Sequence, residues 1–193
     1  MISKDREYRS FVELRAADGE GKAVVEGYAA VFDTPTVLYS VEGVDYKEEI
    51  ASTAFAATEM KDVVMNYNHG GKPVARTKNG TLTLSVDSRG LKVTADLSGT
   101  EEGRCLYEEI KGGYIDKMSF AFVVSEDAYN SDTHTRRIIG IKRLFDVAAV
   151  DRPAYDATDI SARSYFSAEA EKAKAEAEKR AALKLKIKIL SEA

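Results

Sequence analysis

The sequence predicts an α+β domain. Its main part is an antiparallel sheet that curls or closes into a barrel, flanked by a few helices and followed by a charged C-terminal tail. Three observations lead there. Strand-like alternation with turn chemistry between the runs recurs over the first 150 residues. Only two short segments within that stretch suit a helix. Composition then shifts after about Ser161 toward Ala, Glu and Lys.

Taken in order, Phe11-Val12-Glu13-Leu14 alternates, Asp18-Gly19-Glu20-Gly21 supplies a turn, and residues 23–32 run back as a first hairpin. Asp33-Thr34-Pro35-Thr36 breaks that strand. Residues 46–50 form another short strand, and Ser52 or Thr53 caps a short helix through Met60. Residues 65–68 lead to His69. Residues 81–86 and 91–97 alternate on either side of Asp87-Ser88-Arg89-Gly90, a second hairpin. From Gly103 to Gly112, Leu106, Ile110 and the aliphatic part of Tyr107 share one helical face, and Gly112-Gly113 ends it. Residues 115–125 and 137–150 make a long hairpin around the polar turn Asn130-Ser131-Asp132-Thr133. The organisation expected is a domain over residues 1–160 and a helical or flexible tail over 161–193. Within the tail, Leu183-Lys184-Leu185-Lys186-Ile187-Lys188-Ile189 alternates with period two, amphipathic as a strand but not as a helix.

Bulk properties exclude several classes. The 193 residues suit one domain with a core plus an appendage. Net charge is −4 with signs interspersed, so no basic surface for nucleic acid is expected. Cys105 is the only cysteine, which excludes an intrachain disulfide, and no secretory leader is read, so a reducing cytoplasm is expected. No apolar run approaches about 18 residues, so no membrane span is expected. Two distant histidines and one cysteine make no zinc spacing, and no metal or cofactor is predicted.

The long hairpin carries the candidate chemistry. In Lys117-Met118-Ser119-Phe120-Ala121-Phe122-Val123-Val124, period two places Ser119 beside Ala121 and Val123, with Met118, Phe120, Phe122 and Val124 on the other face. On the return strand Asp146 shares a face with Leu144, Ala148 and Val150, where a carboxylate needs hydrogen bonds to be buried. A turn centred near Asp132 and Thr133 sets Ser119 almost opposite Asp146, and an imidazole could bridge them. His134 lies in the turn and is read as solvated, which leaves His69. Each residue also has an ordinary reading: a strand serine, a loop histidine, a carboxylate paired with Lys142 or Arg143.

An ordered set of short motifs adds to this. They are Val25-Glu26-Gly27-Tyr28-Ala29-Ala30-Val31-Phe32, Glu48-Glu49-Ile50 leading to Ala54-Phe55, Asn68-His69 with Pro73-Val74-Ala75-Arg76-Thr77, and Asp87-Ser88-Arg89-Gly90-Leu91. Gly112-Gly113-Tyr114-Ile115 before Met118-Ser119-Phe120-Ala121-Phe122, and Asp146-Val147-Ala148-Ala149-Val150 before Arg152-Pro153-Ala154, complete it. Across residues 11–159 the chain resembles the tailed-phage prohead serine proteases, related in fold to herpesvirus assemblin. The resemblance implies His69 as base and Ser119 as nucleophile, with Asp146 assigned as orienter and Asp151 in reserve. It also implies cleavage of scaffold or of the scaffold-like segment of the major capsid protein, and of the protease itself, inside the immature capsid in the host cytoplasm. Oligomeric state is left open, a homo-oligomer included. Asp116-Lys117-Met118 and Ala75 depart from glycines common in that family. Backbone N–H groups near Arg152 are the expected oxyanion hole. Gly70 and Gly71 are expected to turn the chain sharply after His69 so that its ring projects toward Ser119. The rival is a non-catalytic capsid assembly or scaffold component with the same fold; a small esterase is disfavoured because Gly-x-Ser-x-Gly is missing.

Overall fold

A computed structural model describes residues 6–11, 14–17, 21–151 and 155–191. The order of elements is β1 (Glu7–Phe11), β2 (Leu14–Ala17), β3 (Val24–Val31), β4 (Thr36–Val41), β5 (Val44–Ile50), β6 (Val64–Tyr67), β7 (Gly70–Arg76), a 3₁₀ turn (Thr77–Asn79), β8 (Leu82–Val86), β9 (Gly90–Asp96), α1 (Glu101–Lys111), β10 (Lys117–Asn130), β11 (Thr135–Val150) and α2 (Tyr155–Ser191). The class is α+β, as the sequence predicts, but neither sheet closes into a barrel. A seven-stranded sheet runs β1-β10-β11-β5-β4, with β6 pairing both β11 and β7, and a four-stranded sheet runs β2-β3-β9-β8.

The large sheet is mixed rather than antiparallel throughout. β11 is antiparallel to β10 but parallel to β5 over Thr135–Ile138 and to β6 over its last quarter, where Asp146 pairs with Val64 and Ala149 with Tyr67. Between those stretches the expected helix from residue 52 to Met60 is replaced by successive tight turns. Ala54, Ala56 and Thr58 donate their N–H groups three residues back, to Ala51, Thr53 and Phe55. The reason is tertiary: β11 takes backbone groups of Ala51, Ala54 and Glu59. Ala51 N–H bonds Ile138 O, Ile141 N–H bonds Ala54 O, and Leu144 N–H bonds Glu59 O. The buried backbone is thereby satisfied without a helix.

Other expectations shift by a few residues. The first strand is two, β1 and β2, one in each sheet, with Val12 and Glu13 outside the described residues, as are Asp18, Gly19 and Glu20 of the expected turn. β4 was unforeseen because Pro35 read as a break; its hairpin with β5 turns on Glu42 and Gly43, both at positive φ. α1 starts at an N-cap, Thr100, whose hydroxyl accepts the Gly103 N–H at 2.9 Å. A hydrophobic core joins the two sheets: Val25 and Ala29 of β3 and Leu91 and Val93 of β9 share it with Met118, Phe120 and Phe122 of β10 and Val147 and Ala149 of β11. That leaves the alternate residues of β10 and β11 to face the other way.

α2 is one helix of 37 residues and includes the alternating Leu183 to Ile189 run. Its early part packs on the body. Ala162 and Phe166 are buried, and the Phe166 ring meets Tyr39, Tyr46 and Tyr129 at 5.9, 5.1 and 5.5 Å between centroids.

Candidate active site

Two cross-strand rows build the platform. Ser10, Ser119, Ala148 and Asn66 align across β1, β10, β11 and β6. Two residues along each strand, and therefore on the same face, Tyr8, Ala121, Asp146 and Val64 align likewise. Small residues at 121 and 148 leave space over this face for an imidazole. Ser119 and Asp146 are thus diagonal neighbours rather than opposed. Irregularities opposite Ala121–Asp127 of β10 leave Ile139, Lys142 and Phe145 of β11 unpaired against only Ser125 of β10. They advance the pairing, so Ser119 pairs with Ala148, two residues beyond the partner a regular ladder from the turn would give.

His69 comes to the platform from the β6–β7 hairpin. Tyr67 pairs with Gly70, so Asn68 and His69 are the two loop residues, with φ of 49° and 56°. Positive φ at both central positions matches the twist of a tight hairpin, and Asn tolerates it well. The turn is therefore made at Asn68-His69 itself, not at Gly70-Gly71 after it as the sequence suggested. The Asn68 side-chain oxygen accepts the Asp151 N–H at 3.3 Å and the Asn68 N–H bonds Ala149 O at 3.0 Å, pinning the turn to the end of β11.

The geometry brings His69, Ser119 and Asp146 together. The Ser119 hydroxyl donates to His69 Nε2 at 2.6 Å, and His69 Nδ1–H donates to Asp146 Oδ1 at 2.5 Å. These roles follow because a carboxylate only accepts, which puts the proton on Nδ1 and leaves Nε2 as acceptor. Burial, seconded by the Arg6 guanidinium, pushes the His69 pKa down to about 4, so the ring is a neutral base at pH 7. Asp146 is buried, and its second oxygen accepts from Arg6 Nη2. Tyr8 packs edge-on against the His69 ring at 4.7 Å. Ser119 is fully buried, so a substrate reaches its oxygen only when a covering group moves.

Asp151 is not in this chain of contacts; burial and the nearby Asp151 charge raise the Tyr67 pKa, which sets the carboxylate beside Tyr67. His134 is in the β10–β11 turn, as expected, but it is half-buried and bonds the Tyr129 hydroxyl at 3.1 Å rather than being freely solvated. Arg152, the expected oxyanion region, is outside the described residues. Two site residues escaped sequence reasoning. Arg6 meets a partner 140 positions away, which no local pattern encodes. Asn66 is buried with its side-chain oxygen unpartnered, and a polar residue ending the apolar run Val63-Val64-Met65 was the available signal.

The family model described as caudovirus prohead serine protease matches residues 10–173. No curated protein and no solved structure matches the chain.

Proposed function

This chain belongs to the caudovirus prohead serine protease family, and we propose that it is a capsid-maturation endopeptidase acting through Ser119, His69 and Asp146. The observation that carries this is the unbroken relay from Ser119 Oγ through His69 to Asp146, at 2.6 and 2.5 Å. Ser119 Oγ attacks the substrate carbonyl carbon while its proton passes to His69 Nε2. The tetrahedral intermediate collapses as Nε2–H protonates the departing amine, leaving an acyl-enzyme. Water then attacks the ester carbonyl, gives a proton to Nε2, and returns the Ser119 hydroxyl and a free carboxylate. Asp146 holds the tautomer and stabilises the transient imidazolium.

The substrates are scaffold or the scaffold-like segment of the major capsid protein, and the chain also cuts itself near the small-residue stretch 161–170, within the immature capsid. The helix carrying that stretch then serves as a packaging handle or is removed. The test is co-expression with the capsid or scaffold protein, comparing wild type, Ser119→Ala and His69→Ala by intact mass. Specific truncation in wild type and none in either variant is expected, since loss of a triad member lowers turnover by roughly 10⁴–10⁶-fold. Intact partner in all three samples overturns the protease reading in favour of a non-catalytic assembly component.

A further inference from the structure

Resting on the protease reading, we propose that Arg6 is a positioning residue of the site: its guanidinium holds the second oxygen of Asp146 and so keeps the first aimed at His69 Nδ1. Arg6 precedes the first residue of the family match, so its role is argued from this chain's own contacts. Its Nη2 donates to Asp146 Oδ2 while Oδ1 accepts from His69. The guanidinium lies over the Phe145 ring at 4.7 Å from the centroid and 5.3 Å from that of Tyr8, whose own ring meets His69. Arg6, Asp146 and His69 are thus packed as one unit, with the charged atoms largely out of water.

The terminal torsion of an aspartate is soft, so one hydrogen bond leaves its carboxylate free to swing. A planar guanidinium stacked on aromatic rings is a rigid second anchor. The contact is dispensable for strand pairing: β1 is already registered to β10 from Glu7 to Phe11, and β10 to β11. Its consequence is therefore local to the carboxylate. It also sets the electrostatic balance at His69. Asp146 from β11 favours the imidazolium, while Arg6 at the start of β1 and burial oppose it. Neutral Ser119 from β10 and Tyr8 from β1 complete the surroundings, with Asp151 across the turn beside Tyr67.

The test is an imidazole NMR titration of the full chain for wild type, Arg6→Gln and Arg6→Lys, with the two histidines told apart by His69→Gln. Fluorophosphonate labelling rates at pH 7.5 and thermal melts run in parallel. Wild-type His69 should titrate near pH 4. In Arg6→Gln the midpoint should rise but stay below the ordinary 6.5, because the opposing charge is gone while burial, the larger cause, remains. Labelling should slow by roughly tenfold, because a loosened carboxylate misplaces the base. Arg6→Lys restores the charge but not the planar group stacked on Phe145 and Tyr8, so the midpoint should return toward wild type while labelling stays slow. A titration and labelling rate in folded Arg6→Gln that superimpose on wild type overturn the inference. A shifted titration in a chain that never labels supports the Arg6 clamp and overturns the protease reading instead. A shifted titration in folded Arg6→Gln that labels at the wild-type rate overturns the clamp alone, because the charge then acts without positioning the base.

Discussion

His69 is neutral because the protein makes its charged form expensive, and this has two consequences with definite sign. An unfolded imidazole titrates near 6.5 and the folded one near 4, so between those values the unfolded chain binds more protons. Stability therefore rises with pH from about 4 to about 6.5. Denaturant melts across that window should show the rise in wild type and a shallower one in His69→Gln. Activity follows the same group. The acid limb of kcat/KM should fall near pH 4, well below the range of an ordinary histidine, because only the neutral ring accepts the serine proton. An acid limb at 6.5 would mean that the ring is more solvated than its 11% side-chain exposure implies.

The β6–β7 hairpin is the element that aims the base, and its two-residue loop is where it can be broken. Asn68 and His69 both hold positive φ. Asn68→Gly keeps that conformation accessible, whereas Asn68→Val forces a β-branched residue into it at a cost of about 1–2 kcal/mol. The expected order of labelling rates at Ser119 is wild type, then Asn68→Gly, then Asn68→Val, with the last down roughly 10²-fold if the ring shifts by about 1 Å. Asn68→Gly trails wild type because the Asp151 N–H loses its acceptor. Equal rates in all three proteins would show that the turn conformation does not place the ring.

At the scale of the molecule, a buried charge network locks the end of the large sheet away from the site. Glu48 accepts from Arg9 at 2.5 and 2.6 Å and from Arg136 at 3.3 Å, and Arg136 also binds Glu7 and Asp127. β1, β5, β10 and β11 meet there, and Arg136 lies under Tyr165 of α2 at 4.1 Å. Burial pushes the Glu7 pKa up, but Arg136 and Arg9 outweigh it and leave it below the ordinary 4.5. Its contribution to stability is thus present above that value and lost as pH falls through the lowered one, adding to the acid sensitivity from His69. Glu48→Ala takes one carboxylate from two buried guanidiniums, leaving them Glu7 and, for Arg136, Asp127, and should cost about 3 kcal/mol in denaturant melts. α2 depends on one anchor of a different kind. Beyond residue 170 none of its described side chains is buried, so among the described residues docking rests on Ala162, Tyr165 and Phe166. Phe166→Ala should cost about 3 kcal/mol and speed amide exchange in α2 more than in β10 or β11; uniform protection would show that other contacts hold the helix.

The sequence by itself determined what short-range periodicity can encode. Alternation over residues 117–124 divided β10 into a core face and a face with Ser119 among small residues, and the apolar run ending at Met65 marked the strand from which His69 emerges. The α1 face and its end at Gly112 were legible for the same reason, since each depends on residues within one or two turns, while its N-cap Thr100 was not read. Tertiary structure decided what local rules leave free. Strand direction is one such property: β5 and β6 lie parallel to β11 because long connections return them to the same edge, and nothing in a strand's own pattern states its partner. Register is another, since extra residues bulged out of β11 carried Ser119 past Asp146 to a diagonal position that an imidazole spans. The turns at residues 52–57 exist because β11 claims their backbone groups, which overrides a weak helical preference. Arg6 is the extreme case. A lone arginine near the start of the chain has no meaning until folding brings it to Asp146, where removal from water turns an ordinary ion pair into a constraint on the site.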